Sequence, residues 1–145
     1  MTIPPLLALA EGRKIRLRKP AADRPKEIVL HIAVAHLLRE HAREDWRWAH
    51  YPAGEWRDAK TAAKLGAMGM KAGWPDFLLF SPDGRLHALE LKRRGEALSE
   101  VQTAFAKWCW NGMIPYGIAR SAAEAFGILG TWGVLRPISA AGAPA

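Results

Sequence analysis

The stretch that most constrains this chain is Phe77 to Lys92, FLLFSPDGRLHALELK. Four large apolar residues in a row, Phe77 to Phe80, read as a buried strand. Ser81-Pro82-Asp83-Gly84 reads as a turn with proline at its second position. Arg85 to Lys92 then returns as the partner strand of a hairpin. Successive side chains of a strand point to opposite faces. Leu89 and Leu91 therefore share one face, and Ala88, Glu90 and Lys92 share the other. A carboxylate and an ammonium stand side by side on a strand that is otherwise full of leucine. Asp76 opens the adjoining strand, and the hairpin spacing lets its carboxylate approach Glu90 from the side.

Two carboxylates about 4 Å apart repel by roughly 4 kcal/mol at an effective dielectric of 20. Either one takes a proton or a cation sits between them. Oxygen ligands favour Mg²⁺ or Mn²⁺ over zinc, and no Cys/His cluster competes. A divalent ion there would neutralise charge developing on a phosphorane-like transition state and lower the pKa of a bound water. Lys92 has the reach to orient or help deprotonate that water, or to hold the phosphate. Glu27 could complete the metal shell, directly or through a water. The backbone carbonyl of Leu91 faces the site by position and is a further candidate ligand. Gln102, in the first turn of the next helix, could place a water or a phosphate by its amide. A lone Glu-x-Lys is more often a solvated ion pair, and a lone Pro-Asp is common. The combination on one hairpin is what points to a metal-dependent nuclease.

The rest of the chain supplies the frame. Asp23 to Pro25 can open a helix, and Ile28, Leu30, Ile32, Val34, Leu37 and Leu38 give it a broad apolar face through about Arg43. Glu27 points toward the core side of that helix start, or serves there as a first-turn acid favoured by the helix dipole. Trp46, Trp48 and His50 alternate with Arg47, Ala49 and Tyr51 as in a strand, which Pro52-Ala53-Gly54 ends. The tryptophans read as packing groups rather than base-stacking platforms, and His50 reads as structural before it reads as a substrate contact. Within residues 55–72 a short alanine-rich helix should break near Met68, since Gly66 and Gly69 flank it. Ser99-x-x-Gln102 and Ser121-x-x-Glu124 have the form of capping boxes for two later helices. Ile114 to Ala119 between them is a plausible strand.

At 145 residues a single domain is the natural count. We divide it into a basic arm over residues 1–22, a body over 23–133 and a flexible tail over 134–145. The arm carries RKIRLRK, suited to phosphate contact or equally to a solvated terminus. The net charge of +7 and a pI near 10.0 call for an anionic partner, DNA first. No apolar run is long enough for a membrane span, and the first twelve residues lack the basic start of a secretory signal. The one cysteine, Cys109, cannot form an internal disulfide and fits a reducing, cytoplasmic setting. It lies between Trp108 and Trp110 in a helix and reads as a buried, inert thiol.

Lys71-Ala72-Gly73-Trp74-Pro75-Asp76-Phe77, then Glu90-Leu91-Lys92, then Leu98-Ser99-x-x-Gln102, together resemble the VRR-NUC family of the PD-(D/E)xK nuclease superfamily. The likeness is greatest to its short stand-alone members in phages and bacteria, and it spans about residues 24–120. Glu27 matches that family's glutamate in the leading helix. Ala53 stands where many relatives have asparagine, and Trp74 where they have a small or aliphatic residue. The resemblance implies an α/β, restriction-endonuclease-like α-β-β-β-α-β core around a mixed sheet. It also implies a Mg²⁺- or Mn²⁺-dependent deoxyribonuclease, with Asp76, Glu90 and Lys92 catalytic, Glu27 assisting and Gln102 in support. Such members look like homodimers acting on branched DNA such as Holliday junctions. The competing expectation is a non-catalytic DNA-binding module on a nuclease fold. A sequence-specific restriction enzyme is a weaker third, since the chain is short for an added recognition domain.

Overall fold

The computed structural model describes residues 24–55 and 57–137. The basic arm expected over residues 1–22 and the end of the tail, residues 138–145, lie outside the described residues. Eight elements follow in order: α1 (Arg24–His41), β1 (Arg47–His50), α2 (Ala59–Ala67), β2 (Phe77–Phe80), β3 (Leu86–Leu91), α3 (Glu100–Asn111), β4 (Tyr116–Ala119) and α4 (Ala122–Thr131). The strands form one open, mixed sheet in the order β1-β2-β3-β4. The pairs β1/β2 and β2/β3 are antiparallel, and β3/β4 is parallel. The fold is therefore α/β, with four helices around a four-stranded mixed sheet. Among the described residues no helix is long and apolar enough to cross a membrane.

The β2–β3 hairpin closes as the turn residues dictate. Gly84 takes φ +79°, a conformation open to glycine without a Cβ penalty, and its N–H donates to the Ser81 carbonyl. Pairing sets Phe77 opposite Leu89 and Phe80 opposite Leu86. β3 is buried from His87 onward, because each of its faces has a cover. Leu89 and Leu91 join Phe77 and Leu79 in a core with Val34 and Leu38 of α1 and Ala125 and Leu129 of α4. Ala88 and Glu90 turn the other way, toward α3.

Helix α1 buries less than its composition suggests. Val34 and Leu38 are fully buried, whereas Ile28 and Ile32 are more than half exposed. At about 100° per residue, Leu30, Val34, Leu37 and Leu38 gather on one side and Ile28 and Ile32 fall outside it. The expected short helix is α2, capped by Asp58, whose side chain accepts the Thr61 N–H, and ending at Met68. None of its residues is buried. Trp46 is buried and Trp48 packs against the core, as expected of packing groups, but Trp108 and Trp110 stand more than half exposed. Cys109 is free and buried.

The ordered body runs past the boundary drawn at residue 133. Val134 is fully buried in the core and Leu135 bridges to Ala42. The Arg43 N–H donates to the Val134 carbonyl at 2.8 Å. Residues 134–136 thus return onto the end of α1 rather than beginning a flexible tail.

Candidate functional site

Asp76 stands one residue ahead of β2, where the strand leaves its pairing, and its groups are held from several directions. Its carbonyl accepts from the Tyr51 N–H at 2.8 Å and lies 2.8 Å from His50 Nδ1. The Nε2 of His50 lies 3.1 Å from Glu55 Oε1, so His50 is a structural link between β1 and the Asp76 backbone. On the side chain, Oδ2 accepts the Leu91 N–H at 2.7 Å, and Oδ1 lies 3.1 Å from His31 Nε2. The N–H and C=O of one strand residue point to the same edge, so the Leu91 carbonyl also faces the Asp76 side of β3.

His31 is the residue that sequence reasoning missed. Its Nδ1 lies 2.8 Å from the Glu27 carbonyl, an acceptor only, and its Nε2 faces a carboxylate. Both ring nitrogens must then donate, which is the imidazolium form. Burial works against that charge, but the Asp76 hydrogen bond, the Glu27 carbonyl and the two carboxylates outweigh it, and the pKa rises to about 9. The available signal was the i, i+4 spacing from Glu27, which puts both residues on one face of α1.

Glu90 projects from the middle of the sheet and is 2 % exposed. Its Oε1 accepts from Gln102 Nε2 at 2.7 Å, with the Lys92 ammonium 3.8 Å away. Its Oε2 is buried and has no hydrogen-bond partner among the described residues. Burial first, then the charge of Asp76, push the Glu90 pKa up to about 8, against the opposing pull of Lys92 and His31. Lys92 is itself buried and also lies 3.6 Å from Glu96.

Gln102 does two jobs with one amide. Ser99 caps α3, and the full capping box forms: the Gln102 carbonyl oxygen accepts the Ser99 N–H at 2.9 Å. That fixes the amide so that its NH₂ points at Glu90. A glutamate here would cap α3 equally well but would set a third carboxylate against Glu90. At the second predicted box, Ser121 accepts the Glu124 N–H, and the Glu124 carboxylate reaches back to Arg120 N. Gly73 brings the Asp76 loop against α3. It has φ +84°, and a Cβ on it would lie 2.7 Å from Val101 backbone atoms.

The structure thus brings Asp76, Glu90, Lys92, Gln102 and the Leu91 backbone together. Glu27 lies at the margin: its carboxylate is 3.5 Å from Arg93 Nη2, and its carbonyl, through His31, connects it to Asp76. Tyr116 Oη is likewise buried, with no hydrogen-bond partner among the described residues. Burial and the nearby Glu90, Cys109 and Asp76 push its pKa up. Among the described residues, no three His, Cys, Asp or Glu side chains gather closely enough to hold a metal on their own. The donors that Asp76, Glu90 and Leu91 offer are two carboxylates and a carbonyl. That suits Mg²⁺, which is usually bound by one or two carboxylates, with water and substrate phosphate filling the remaining positions. The partnerless Glu90 Oε2 fits such an ion: a buried carboxylate oxygen with no donor is costly, and a cation would satisfy it.

Comparison of the chain with protein-family models, with curated proteins and with solved structures gives no match in any of the three.

Proposed function

We propose that the chain is a Mg²⁺- or Mn²⁺-dependent deoxyribonuclease that hydrolyses phosphodiester bonds, selective for branched DNA such as Holliday junctions. The observation that carries the hydrolytic reading is Glu90 Oε2, a buried carboxylate oxygen without a partner beside Asp76 and the Lys92 ammonium. Asp76, Glu90 and the Leu91 carbonyl would hold the ion, with Glu27 reaching it through a water. When bound, the ion supplies charge neutralisation at the phosphate and a more acidic water.

The chain's own groups do the rest. His31 and the Leu91 N–H hold the Asp76 carboxylate in one orientation. Gln102 fixes Glu90 Oε1 and so determines where Oε2 points. The Lys92 ammonium is placed to donate to a phosphate oxygen or to the attacking water, and it keeps favourable charge close to the site of attack. The net charge of +7 draws DNA to the protein. The selectivity for branched DNA rests on the resemblance alone.

The test is incubation of the full chain with four-way junction, flap, duplex and single-stranded DNA, in Mg²⁺, Mn²⁺ or EDTA. Cleavage should require the metal and favour the junction. Asp76→Ala and Lys92→Ala should each abolish it while DNA binding persists. Binding to DNA with no metal-dependent cleavage of any substrate would favour the non-catalytic DNA-binding module.

A further inference from the structure

A groove of about 350 Å³ opens on the sheet face that carries Glu90, lined by Trp74, Leu78, Phe80, Leu86, Phe105 and Trp108. Leu78 pairs with Ala88 and Phe80 with Leu86, and alternation puts Leu86, Ala88 and Glu90 on one side of β3. The floor of the groove therefore continues the strand surface from which Glu90 projects. Leu78 is one strand across and two residues along from Glu90, about 8 Å between Cα positions. On its other side, Trp74 stands two residues ahead of Asp76, on the loop that Gly73 brings against α3.

The aromatic rings form a row. Between ring centroids, Tyr51 lies 5.2 Å from Trp74, Trp74 lies 5.3 Å from Phe105, and Phe105 lies 5.6 Å from Trp108. The row is open to solvent, with Trp108 58 % exposed and Trp74 37 %. No charged side chain lines the groove. Contiguous apolar surface left open beside a buried polar site marks a binding face.

Position and charge identify the occupant. A protein docked in the groove would cover the approach to Asp76, Glu90 and Lys92, whereas a DNA strand held at those residues runs on over it. Residues 57–74, which lead into the row, hold Arg57, Lys60, Lys64 and Lys71 against one acid, Asp58. Asp58 is taken up in capping α2, and the three lysines are exposed. Tyr51 Oη accepts the Lys71 N–H at 3.0 Å, so this basic segment is tied to the first ring of the row. Cations suit the phosphates, and aromatic rings suit the bases, since every base has a π face. A base inside a duplex has both faces covered by its neighbours, so only an unpaired one is free to settle here.

We propose that the groove is a stacking site for an unpaired nucleobase of the DNA strand held at Asp76, Glu90 and Lys92, with Trp74 and Trp108 as its exposed platforms. The path of the strand rests on the nuclease reading. The groove gives the substrate a local form, a single-stranded nucleotide next to the bond that is cut. Stacking of this kind tolerates any base.

The test is binding of the full chain in EDTA, by fluorescence anisotropy, to a labelled blunt duplex and to the same duplex with a single-stranded oligothymidine tail. The wild type should bind the tailed duplex more tightly. Trp108→Ala should weaken binding to the tailed duplex at least about fivefold, roughly 1 kcal/mol, and leave binding to the blunt duplex within about twofold. Trp108→Phe, which keeps a ring, should recover most of the loss. Trp110→Ala, on the same helix and 54 % exposed but outside the groove, should change neither. A wild type with no preference for the tail overturns the proposal. So does a Trp108→Ala protein that binds both DNAs as the wild type does, or that loses both alike. If Trp108→Ala leaves DNA binding untouched but abolishes self-association in light scattering, the groove belongs to a contact between copies instead. A chain that stacks the tail but cuts nothing in Mg²⁺ fails only as a nuclease, and one that cuts but ignores the tail fails only here.

Discussion

Replacing Glu90 with glutamine should make the metal-free protein more stable, and the gain should grow with pH. In the fold the Glu90 pKa stands at about 8 against an ordinary 4.5. Between those values the folded state holds a proton that the unfolded state has released, so stability falls as pH rises through that window. At pH 7 the gap above the ordinary value is about 2.5 pH units, and at roughly 1.4 kcal/mol per unit the burial costs about 3 kcal/mol. Glu90→Gln removes this cost and keeps the oxygen that accepts from Gln102. Its new NH₂ replaces Oε2, which had no partner among the described residues, and a buried unpaired donor costs about 1–3 kcal/mol. The net gain at pH 7 in EDTA is roughly 0–2 kcal/mol, or a Tm rise of up to about 8 °C for a chain of this size, and it grows by pH 8. Near pH 5 the gain should vanish or reverse. Thermal unfolding of both proteins across pH 5 to 9 in EDTA measures this. A variant less stable than wild type at pH 7 and 8, with a parallel pH profile, would show that the Glu90 carboxylate supports the fold, and the cation-site reasoning would fail.

Gly73→Ala should lose about 2–4 kcal/mol in urea unfolding, about 1 from the positive φ and 1–3 from the clash with the Val101 backbone; a loss under about 0.5 kcal/mol would contradict that close approach. His31 has a folded pKa of about 9 against 6.5, so its contribution to stability is fully present below pH 6.5 and is lost as pH rises through 9. In EDTA, His31→Gln should lower stability at pH 6 by up to about 3 kcal/mol and flatten the decline between pH 6.5 and 9; an unchanged slope would remove the imidazolium from the account.

What could be read in the sequence was what is settled locally. The turn at Ser81 to Gly84, the capping box from Ser99 to Gln102, and the split of Leu89 and Leu91 from Glu90 and Lys92 all depend on residues a few positions apart. The alternation in β3 alone put Glu90 and Lys92 on one face. His31 was out of reach because its partner, Asp76, lies 45 residues away. The second hydrogen bond of Gln102 likewise depends on α3 landing beside Glu90, although the capping box already placed its amide. The apolar residues of α1 could not be sorted into buried Val34 and exposed Ile32 until α4 fixed which side of the helix is covered. Val134 and Leu135 looked like the start of a tail because nothing nearby in sequence binds them; their partners are at the far end of α1.

Asp76 and Glu90 held side by side should bind a divalent cation. The decisive measurement is titration of Mn²⁺ into the metal-free protein, wild type against Glu90→Gln. The wild type should bind, releasing protons near pH 7 as Glu90 ionises, and the variant should bind at least about tenfold more weakly, a loss of roughly 1.4 kcal/mol. Equal binding by the two proteins, with no proton release from the wild type, would contradict it.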